Sequence, residues 1–381
     1  MQQQPTATCW TEREIRQQPA VWLETAGMID SLRDQIDAFL APLLSRPDLR
    51  VVLTGAGSSA FIGDTLMPVL ARTLKAHVSS VSTTDIVSDP SGYLPVNGSL
   101  LLVSFARSGN SPESVAAVAL ADQQNANCHH LLITCNAEGE LYRQYSGRPR
   151  VLALALPEKT CDRGFAMTSS MSSMMLACLS LFRAPGGERA AIQALAQSVT
   201  ALLETSPDLT RSPLQTQGVE RVVWLGSGGL QGLAHESALK LLELTAGRIA
   251  AFYESPVGFR HGPKSLVNAK TQVIVLISNQ PYTRRYDLDL LNELRRDGVA
   301  CRIVALAGAP CKEIESGEYF CLPGAEHFSD AQLAPGLLVY AQIYALAQSL
   351  HFGMTPDNPS PEGRVNRVVQ GVNIHPWHER H

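Results

Sequence analysis

The stretch LLLVSFARSGNSPESVAAVALADQQ, residues 100–124, carries the clearest fold signal in this chain. It passes from a continuous apolar run through a loop of small and polar residues into a segment of helical character. A continuous apolar run of this length is typical of a strand buried on both faces of a parallel sheet. Pro112 suits the first position of a helix. The pattern therefore predicts a strand, a loop and a helix, which is the repeating unit of an α/β protein.

The loop in this stretch is also a candidate phosphate site. Ser111 stands at the expected N-cap, so the backbone amides of residues 109–113 would lie at the positive end of the helix dipole, where anions bind. Hydroxyl and guanidinium groups beside them would add charge-assisted hydrogen bonds. An ordinary serine-capped helix would show the same pattern. The candidate binding residues are Arg107, Ser108, Asn110 and Ser111.

Similar apolar runs occur on both sides of this unit and alternate with helical segments. They are VVLTGAGSSA at 51–60, HLLITCN at 130–136 and VLALAL at 151–156. Because parallel strands need right-handed crossovers, we expect a doubly wound, mostly parallel sheet flanked by helices.

The glycine-rich turn TGAGSSAFIG, residues 54–63, does not fit the GxGxxG dinucleotide fingerprint. A tight strand-to-helix turn explains its glycines. A functional interpretation adds Ser58 and Ser59 as ligand donors at the carboxyl edge of the sheet.

The chain shows the signs of an internal duplication. Strand-and-turn signals at Val51, Ser104 and Leu131 return at Val222, Ser278 and Ile303, at offsets of 171, 174 and 172 residues. The polar, proline-rich segment 205–218 separates the copies. We therefore predict an N-terminal helical segment (1–48), a first domain (49–204), a linker (205–218) and a second domain with a C-terminal tail (219–381).

Two segments of the second copy carry charged residues. In the predicted helix 235–247, Glu236, Lys240 and Glu243 share one face, and the simplest interpretation is a solvated ion-pair stripe. The loop YESPVGFRHGPKSLV, residues 253–267, holds Arg260, His261 and Lys264. These residues suit an anionic, proton-transferring site, but a surface loop could have the same composition.

The C-terminal tail, residues 357–372, contains Arg364 and Arg367 and is expected to fray unless it docks. Three histidines follow at 375, 378 and 381. They lack the cysteine or carboxylate partners of a closed metal site, so we predict no metal there.

Composition excludes several classes of function. A net charge of −4 gives no general attraction to nucleic acid. The eight cysteines form no CxxC pair and the first residues show no signal pattern, which indicates reduced thiols in the cytoplasm. Apolar runs such as residues 100–105 are much shorter than a membrane helix, so no membrane insertion is expected.

Taken together, these motifs resemble the sugar isomerase (SIS) superfamily, whose duplicated fold also forms the isomerase half of glucosamine-6-phosphate synthase. The resemblance to the AgaS-type galactosamine-6-phosphate deaminase/isomerases covers nearly the whole chain. It rests on WTEREIRQQP, TGAGSSAFIGD, SFARSGNSPESVAAV, DRGFAMTSS, LGSGGLQG, ESALKLLELTAG, SPVGFRHGPKSLV and RVVQGVNIHPW. It implies two tandem SIS domains in an α/β chain that begins with a helical segment.

The resemblance also implies roles for single residues. Ser108 and Ser111 would hold the sugar phosphate, with Arg107 where the synthase has glutamine. Ser59 matches a serine at the sheet edge, Glu243 the proton-transferring glutamate, and His261 the ring-opening histidine donated by a neighbouring subunit. Thr168 and the backbone near Phe165 match a loop that contacts the sugar. Arg367 aligns near a lysine of the synthase, and a guanidinium, which stays protonated, cannot form a Schiff base.

The activity that the resemblance implies converts galactosamine 6-phosphate and water to tagatose 6-phosphate and ammonia. Arg260 and Arg367 would stabilise the negative charge that develops on oxygen. No metal or redox cofactor is expected, and a homodimer is the minimum assembly if His261 acts across an interface. A simple aldose-ketose isomerase and a non-catalytic sugar-phosphate sensor remain alternatives, since the fold alone does not choose between them.

Overall fold

A computed structural model describes residues 9–369 and 371–378 of the chain. Its first half contains one sheet of five parallel strands in the order β2-β1-β3-β4-β5. The strand order reverses between β1 and β3: β2 lies on one side of β1, and β3, β4 and β5 follow on the other. Doubly wound sheets bind ligands at this switch point, at the carboxyl ends of their strands. The strands are β1 (Arg50–Thr54), β2 (His77–Ser80), β3 (Leu100–Ala106), β4 (Cys128–Thr134) and β5 (Val151–Ala155).

The second half repeats this topology, with the strand order β10-β9-β8-β6-β7. Its strands are β6 (Arg221–Leu225), β7 (Ala250–Glu254), β8 (Thr271–Leu276), β9 (Arg302–Ala307) and β10 (Tyr319–Cys321). The predicted doubly wound, duplicated α/β fold is confirmed.

One predicted correspondence between the copies is wrong. Thr54 pairs with Ser104 in the first sheet, and Leu225 pairs with Val275 in the second. The counterpart of Ser104 is thus Val275 rather than Ser278. The error arose because the sequence match aligned Ser104, which lies inside β3, with Ser278, which follows the end of β8, whereas the hydrogen-bond ladder sets the register.

Helices cover both faces of the two sheets. Those of the first half are α1 (Trp10–Ser31), α2 (Arg33–Leu44), α3 (Ser58–Thr73), α4 (Thr83–Ser88), α5 (Pro90–Tyr93), α6 (Pro112–Gln124), α7 (Glu140–Tyr145), α8 (Ser169–Leu181) and α9 (Arg189–Thr205). Those of the second half are α10 (Gly229–Leu244), α11 (Pro256–Phe259), α12 (Pro281–Asp297), α13 (Lys312–Glu315) and α14 (Asp330–His351). Short 3₁₀ turns span Glu158–Thr160 and Pro263–Leu266.

The two halves share one core because α3 packs against α10 at very close range. A Cβ on Gly229 would come within 2.4 Å of the Thr65 carbonyl oxygen, and one on Gly232 within 2.5 Å of the Thr65 amide nitrogen. Only glycine permits this approach. It brings the side chains of α10 to the first turn of α3, at the carboxyl edge of the first sheet.

The predicted N-terminal helical segment is built into this core. All thirteen residues of α8 are buried, and the indole of Trp22 in α1 donates to Ser172 Oγ at 2.8 Å. Gln18 donates to Gln342 Oε1 at 2.7 Å, which links α1 to α14 inside the protein.

Helix α14 corrects the expectation that every apolar run is short. Within the described residues it is long and apolar enough to cross a membrane, but nearly all of it is buried inside the protein. It packs against α1, α3, α9 and α10. We therefore interpret it as the central core helix.

The C-terminal tail docks on the first half of the chain. Asp357 accepts hydrogen bonds from the amides of Trp10 and Thr11 at 2.8 and 2.9 Å and from the Thr11 hydroxyl at 2.8 Å. It thus caps α1, whose own N-cap residue makes no side-chain cap. Further along, the Gln123 amide donates to the Trp377 carbonyl at 3.1 Å. His381 of the histidine-rich end lies outside the described residues.

Asp357→Ala tests whether this docking stabilises the fold. Removing the cap leaves the first amides of α1 without an acceptor, so we expect a loss of about 0.5–2 kcal/mol, read as a lower urea midpoint. Asp289→Ala is the matched control, since Asp289 is exposed on α12. Equal midpoints for the two variants would show that the cap contributes nothing.

Candidate active site

The phosphate loop, residues 107–111, joins β3 to α6 at the carboxyl edge of the first sheet. Ser111 is the N-cap of α6, as predicted, and its hydroxyl accepts from the Ser114 amide at 3.2 Å. Gly109 has a φ of +66°, and a Cβ on neighbouring Gly139 would meet the Ser108 carbonyl at 2.4 Å. The loop is therefore tightly shaped and leaves amides at the positive end of α6.

The side chains of this loop differ in the hydrogen bonds that they make within the protein. The Ser108 hydroxyl has one long contact, to the Asn110 amide at 3.3 Å. The Asn110 side chain accepts from the Glu140 amide at 2.9 Å and so ties the loop to α7. Ser108 is the side chain best placed to receive an anion.

Arg107, predicted to bind substrate, donates to two backbone carbonyls beside the loop. Its side chain is 8% exposed and donates to the Phe165 carbonyl at 2.9 Å and the Arg367 carbonyl at 2.6 Å. Burial lowers the pKa of Arg107 and the Arg367 charge lowers it further, while Asp162 and Glu243 oppose the shift. Arg107 therefore fastens the 161–168 loop and the C-terminal tail beside the phosphate loop.

Arg367 completes this arrangement from the tail. Its Nε donates to the Gly164 carbonyl at 3.0 Å, and its Nη2 donates to the Asp162 carbonyl. Both arginines thus donate to carbonyls of the 162–165 segment, and Arg107 also donates to the backbone of Arg367. The predicted tail residue reaches the site, but its guanidinium is bound to carbonyl oxygens.

Asp162 organises the loop that contains Thr168. Its buried carboxylate accepts from the Thr168 amide and the Thr168 hydroxyl, both at 2.8 Å, and from the amides of Ser169 and Ser170 at 3.0 Å. Thr168 is fully buried, and its hydroxyl donates to Asp162. The hydroxyl proton is therefore already engaged and is not free to bind the sugar.

The acidic and basic residues of α10 form a buried cluster at the first turn of α3. Glu236 and Lys240 are 0% and 1% exposed, so the interpretation as a solvated ion-pair stripe is wrong. The face that carries them packs against α3. Lys240 Nζ lies 2.5 Å from Glu243 Oε2, 3.4 Å from Glu236 Oε1 and 2.9 Å from Ser58 Oγ.

The electrostatics of this cluster keep the lysine charged. Burial disfavours the ammonium of Lys240, but the charges of Glu236 and Glu243 outweigh it and raise its pKa. Burial raises the pKa of Glu236 to about 7 despite the nearby Lys240. The Glu243 side chain is 22% exposed and is therefore the member that can reach a ligand. Ser59 lies one residue beyond Ser58, with its hydroxyl 3.8 Å from Met167 Sδ.

The loop with His261 faces another part of the second half. His261 is exposed. Arg260 pairs with Glu293 of α12 at 2.8 Å, and Lys264 pairs with Asp297 at 2.6 Å. Within residues 9–369 and 371–378, no ion pair or side-chain hydrogen bond joins this loop to Lys240 or Glu243. The structure thus brings Glu243 to the first-domain site but leaves His261 and Arg260 apart from it.

The loop of the second half that corresponds to the phosphate loop is filled by carboxylates of the protein itself. Asp330 accepts from the Ser278 hydroxyl at 2.6 Å and the Asn279 amide at 2.7 Å. Asp287 accepts from the Ser278 amide at 2.9 Å and from the Ser227 hydroxyl. The donors that face outward in the first copy are therefore taken in the second.

A group of potential metal ligands, Asp122, Cys128 and His130, lies at the amino edge of the first sheet. His130 Nε2 is 2.8 Å from Asp122 Oδ1, the distance of a direct hydrogen bond. We interpret the group as a buried histidine paired with a carboxylate.

The sequence analysis gave no role in the site to Asp162, Glu236 or Lys240, although it named Ser58 as a possible ligand donor. The only signal for Lys240 was its helical spacing from two glutamates, which also fits a surface helix. Gly229 and Gly232 bury that face by contacting the backbone of Thr65 in α3, which lies far away in the sequence. Chemically, the assembled site offers amides and a hydroxyl for a phosphate beside a carboxylate held by a buried cation.

Comparison with known proteins shows the family of the chain. The SIS domain family model matches residues 43–184 and 217–351. D-galactosamine-6-phosphate deaminase AgaS of Escherichia coli is 52% identical over 97% of this chain and 96% of its own. The putative enzyme of that name from Streptomyces coelicolor is 50% identical over 96% of this chain and 95% of its own.

Solved structures give the same result. The crystal structure of tagatose-6-phosphate ketose/aldose isomerase from Escherichia coli superimposes with a TM-score of 0.92 at 49% identity, covering 98% of this chain and all of that one. The C-terminal domain of glucosamine-fructose-6-phosphate aminotransferase from Francisella tularensis, at 18% identity and a TM-score of 0.75 over 93% of this chain and 99% of that one, shares the fold. With two matched domains and relatives that align along nearly its whole length, the chain belongs to the SIS domain family.

Proposed function

We propose that this protein is a deaminating isomerase that converts galactosamine 6-phosphate and water to tagatose 6-phosphate and ammonia. The observation that carries the proposal is the Glu243 carboxylate, held 2.5 Å from the buried Lys240 at the carboxyl edge that also bears the phosphate loop. A sugar-phosphate sensor needs the loop but not this carboxylate. The names of relatives about half identical along the whole chain support the same activity.

In the proposed reaction the phosphate binds the amides of the 107–111 loop and the Ser108 hydroxyl. His261 assists ring opening and supplies the aldehyde, whose carbonyl acidifies the hydrogen on carbon 2. Glu243 removes that proton and returns one to carbon 1. The ammonium of Lys240 holds the Glu243 carboxylate in place, since the two groups lie 2.5 Å apart.

Deamination follows from the same proton transfer. With nitrogen on carbon 2, the intermediate is an enolamine, and its protonation on carbon 1 gives an imine at carbon 2. Water adds to this imine and ammonia leaves, so atoms balance without an oxidant. Arg367 cannot form an imine, and Lys240 is held protonated between two carboxylates. Both features favour a route without an enzyme-bound imine.

We further propose a cytoplasmic homodimer in which His261 completes the partner's site and the enzyme takes part in amino-sugar breakdown. Support comes from the exposure of His261 and from the contacts of its loop with α12 rather than with the Glu243 cluster.

A simple aldose-ketose isomerase is the second candidate, favoured by the name of the Escherichia coli structure. One assay separates the two: purified protein is incubated with galactosamine 6-phosphate, and ammonia and ketose are measured. We expect equal amounts of both. Turnover of an unaminated aldose 6-phosphate, with no reaction of the amino sugar, would establish the simple isomerase. Binding of sugar phosphates without any turnover would establish the sensor.

Glu243→Gln tests the proposed base. The change keeps the shape of the side chain and removes its basicity, so we expect a rate at least about 100-fold lower with substrate binding retained. Exchange of the carbon-2 hydrogen with deuterated solvent should fall equally. Exchange at the parental rate would assign proton transfer to another residue.

Ser108→Ala and Ser111→Ala test the phosphate loop. Loss of a charge-assisted hydrogen bond, worth about 1.5–3 kcal/mol, should weaken substrate binding at least several-fold in each variant. Because Ser111 also caps α6, its variant should lower thermal stability as well, whereas Ser108→Ala should not. Parental KM in both variants would reduce the loop to a helix cap.

The proposed sharing of His261 between subunits predicts complementation. His261→Ala and Glu243→Gln should each be nearly inactive, but a heterodimer co-expressed with different affinity tags contains one intact site. We therefore expect purified heterodimers to recover up to about half of the parental activity per dimer. Heterodimers as inactive as either homodimer would place His261 and Glu243 of one subunit in the same site.

A further inference from the structure

A cleft of about 790 Å³ opens beside the active site, at the carboxyl ends of β4 and β5. The start of α1 forms one wall and the 161–163 segment another. Its lining includes Trp10, Arg13, Asn136, Arg163 and Arg367 but not Ser59, Ser108 or Glu243. Clefts of this size at the carboxyl edge of a parallel sheet are typical of small-molecule sites.

The entrance of this cleft carries two guanidinium groups stacked on an exposed indole. The guanidinium carbon of Arg13 lies 5.0 Å from the centre of the Trp10 ring and that of Arg163 lies 4.7 Å from it. Trp10 is 40% exposed. A guanidinium stacked in this way keeps its in-plane N–H groups available to an anion.

Arg13 and Arg163 differ from the other cations around them. On the same helix Arg16 pairs with Glu12 at 2.8 Å, and across the cleft Lys159 pairs with Glu24 at 2.8 Å. Within residues 9–369 and 371–378, neither Arg13 nor Arg163 has a carboxylate within ion-pair distance. Two unpaired positive charges are thus held together by one aromatic ring.

The acidic residues of the cleft do not neutralise this pair. The carboxylate of Glu14 points inward, where it accepts from the amides of Arg163 and Gly164. Burial in the first place, and the neighbouring Asp162 in the second, raise the pKa of Glu14 to about 8, which weakens its repulsion of an anion near neutral pH. Glu138 and Glu158 also line the cleft and would exclude a ligand that carries negative charge at both ends.

We propose that this cleft is a second binding site, for a phosphate monoester carrying a ring or other apolar face. The phosphate would bind Arg13 and Arg163, and the apolar face would lie against the part of the Trp10 indole that the two guanidinium groups leave exposed. The far wall is the back of the phosphate loop, since Asn136 donates to the Ser108 carbonyl at 2.9 Å. The ligand could be a second molecule of a sugar phosphate or another phosphate monoester, and free phosphate would bind through the same arginines.

Trp10 provides the readout: Trp22 and Trp224 are fully buried, and any signal from the half-buried Trp377 would persist in Trp10→Phe. Tryptophan fluorescence is titrated with tagatose 6-phosphate and, separately, with inorganic phosphate, while calorimetry counts the molecules bound per chain. We expect two sugar phosphates per chain, with a fluorescence change that disappears in Trp10→Phe. A response to sugar phosphate at concentrations at least tenfold below those needed for inorganic phosphate would show that the indole contributes to binding.

Two variants separate this site from the phosphate loop. Arg13→Gln/Arg163→Gln should lose the fluorescence change and one of the two bound molecules, whereas Ser108→Ala/Ser111→Ala should keep the fluorescence change. Arg50→Gln, an exposed arginine at the amino end of β1, is the control for loss of charge. If the double arginine variant is not folded by circular dichroism, Arg13→Gln alone replaces it, with binding at least several-fold weaker.

The proposal is overturned if the arginine variant binds like the parent, if the parent shows no fluorescence change, or if the serine variant abolishes that change. None of these measurements requires turnover, so the result does not depend on the proposed deaminase activity.

Discussion

The contacts of the buried Lys240 ammonium are the interactions on which the joining of the two halves at the site depends. A buried cation is tolerated only when opposite charges and hydrogen-bond acceptors surround it. Here two of those partners belong to its own helix, and the third, Ser58, belongs to the other half of the chain. The close packing of α10 against α3 through Gly229 and Gly232 makes this contact possible. As a result, the second domain supplies a carboxylate to the edge of the first domain's sheet.

A second group of polar contacts fixes the other wall of the site. Arg107 donates to the carbonyls of Phe165 and Arg367, and Arg367 donates to the carbonyl of Gly164. The Asp162 carboxylate accepts hydrogen bonds from the amides at the start of α8. These contacts satisfy the backbone groups of an irregular loop that would otherwise be buried without partners. The loop near Phe165 is therefore held in place by contacts within the protein itself.

Much of this organisation could be predicted from the sequence, because it depends on local patterns. The strand-loop-helix unit at 100–124, the cap at Ser111 and the duplication followed from apolar runs, proline and serine positions. What could not be predicted depends on contacts between distant segments. The spacing of Glu236, Lys240 and Glu243 is the same on an exposed and a buried helix face. Arg107 stands where a phosphate ligand was expected, but its orientation is set by Phe165 and a tail that begins more than two hundred residues later. The length of α14 was missed because small and amide residues dilute its apolar pattern.

The occupied loop of the second half has a consequence for how the duplicated chain responds to ligand. Asp330 and Asp287 are tethered to the donors that they satisfy, so they act at a high effective concentration that a free anion cannot match. The carboxylates of Asp330 and Asp287 thus occupy, in the second copy, the donors that an anion would otherwise bind. A change in the concentration of phosphorylated metabolites therefore leaves this loop unaltered, and the loop of the first half is the one with donors open to an anion. Duplication has thus produced one loop that is closed by carboxylates of the protein itself and one that is open.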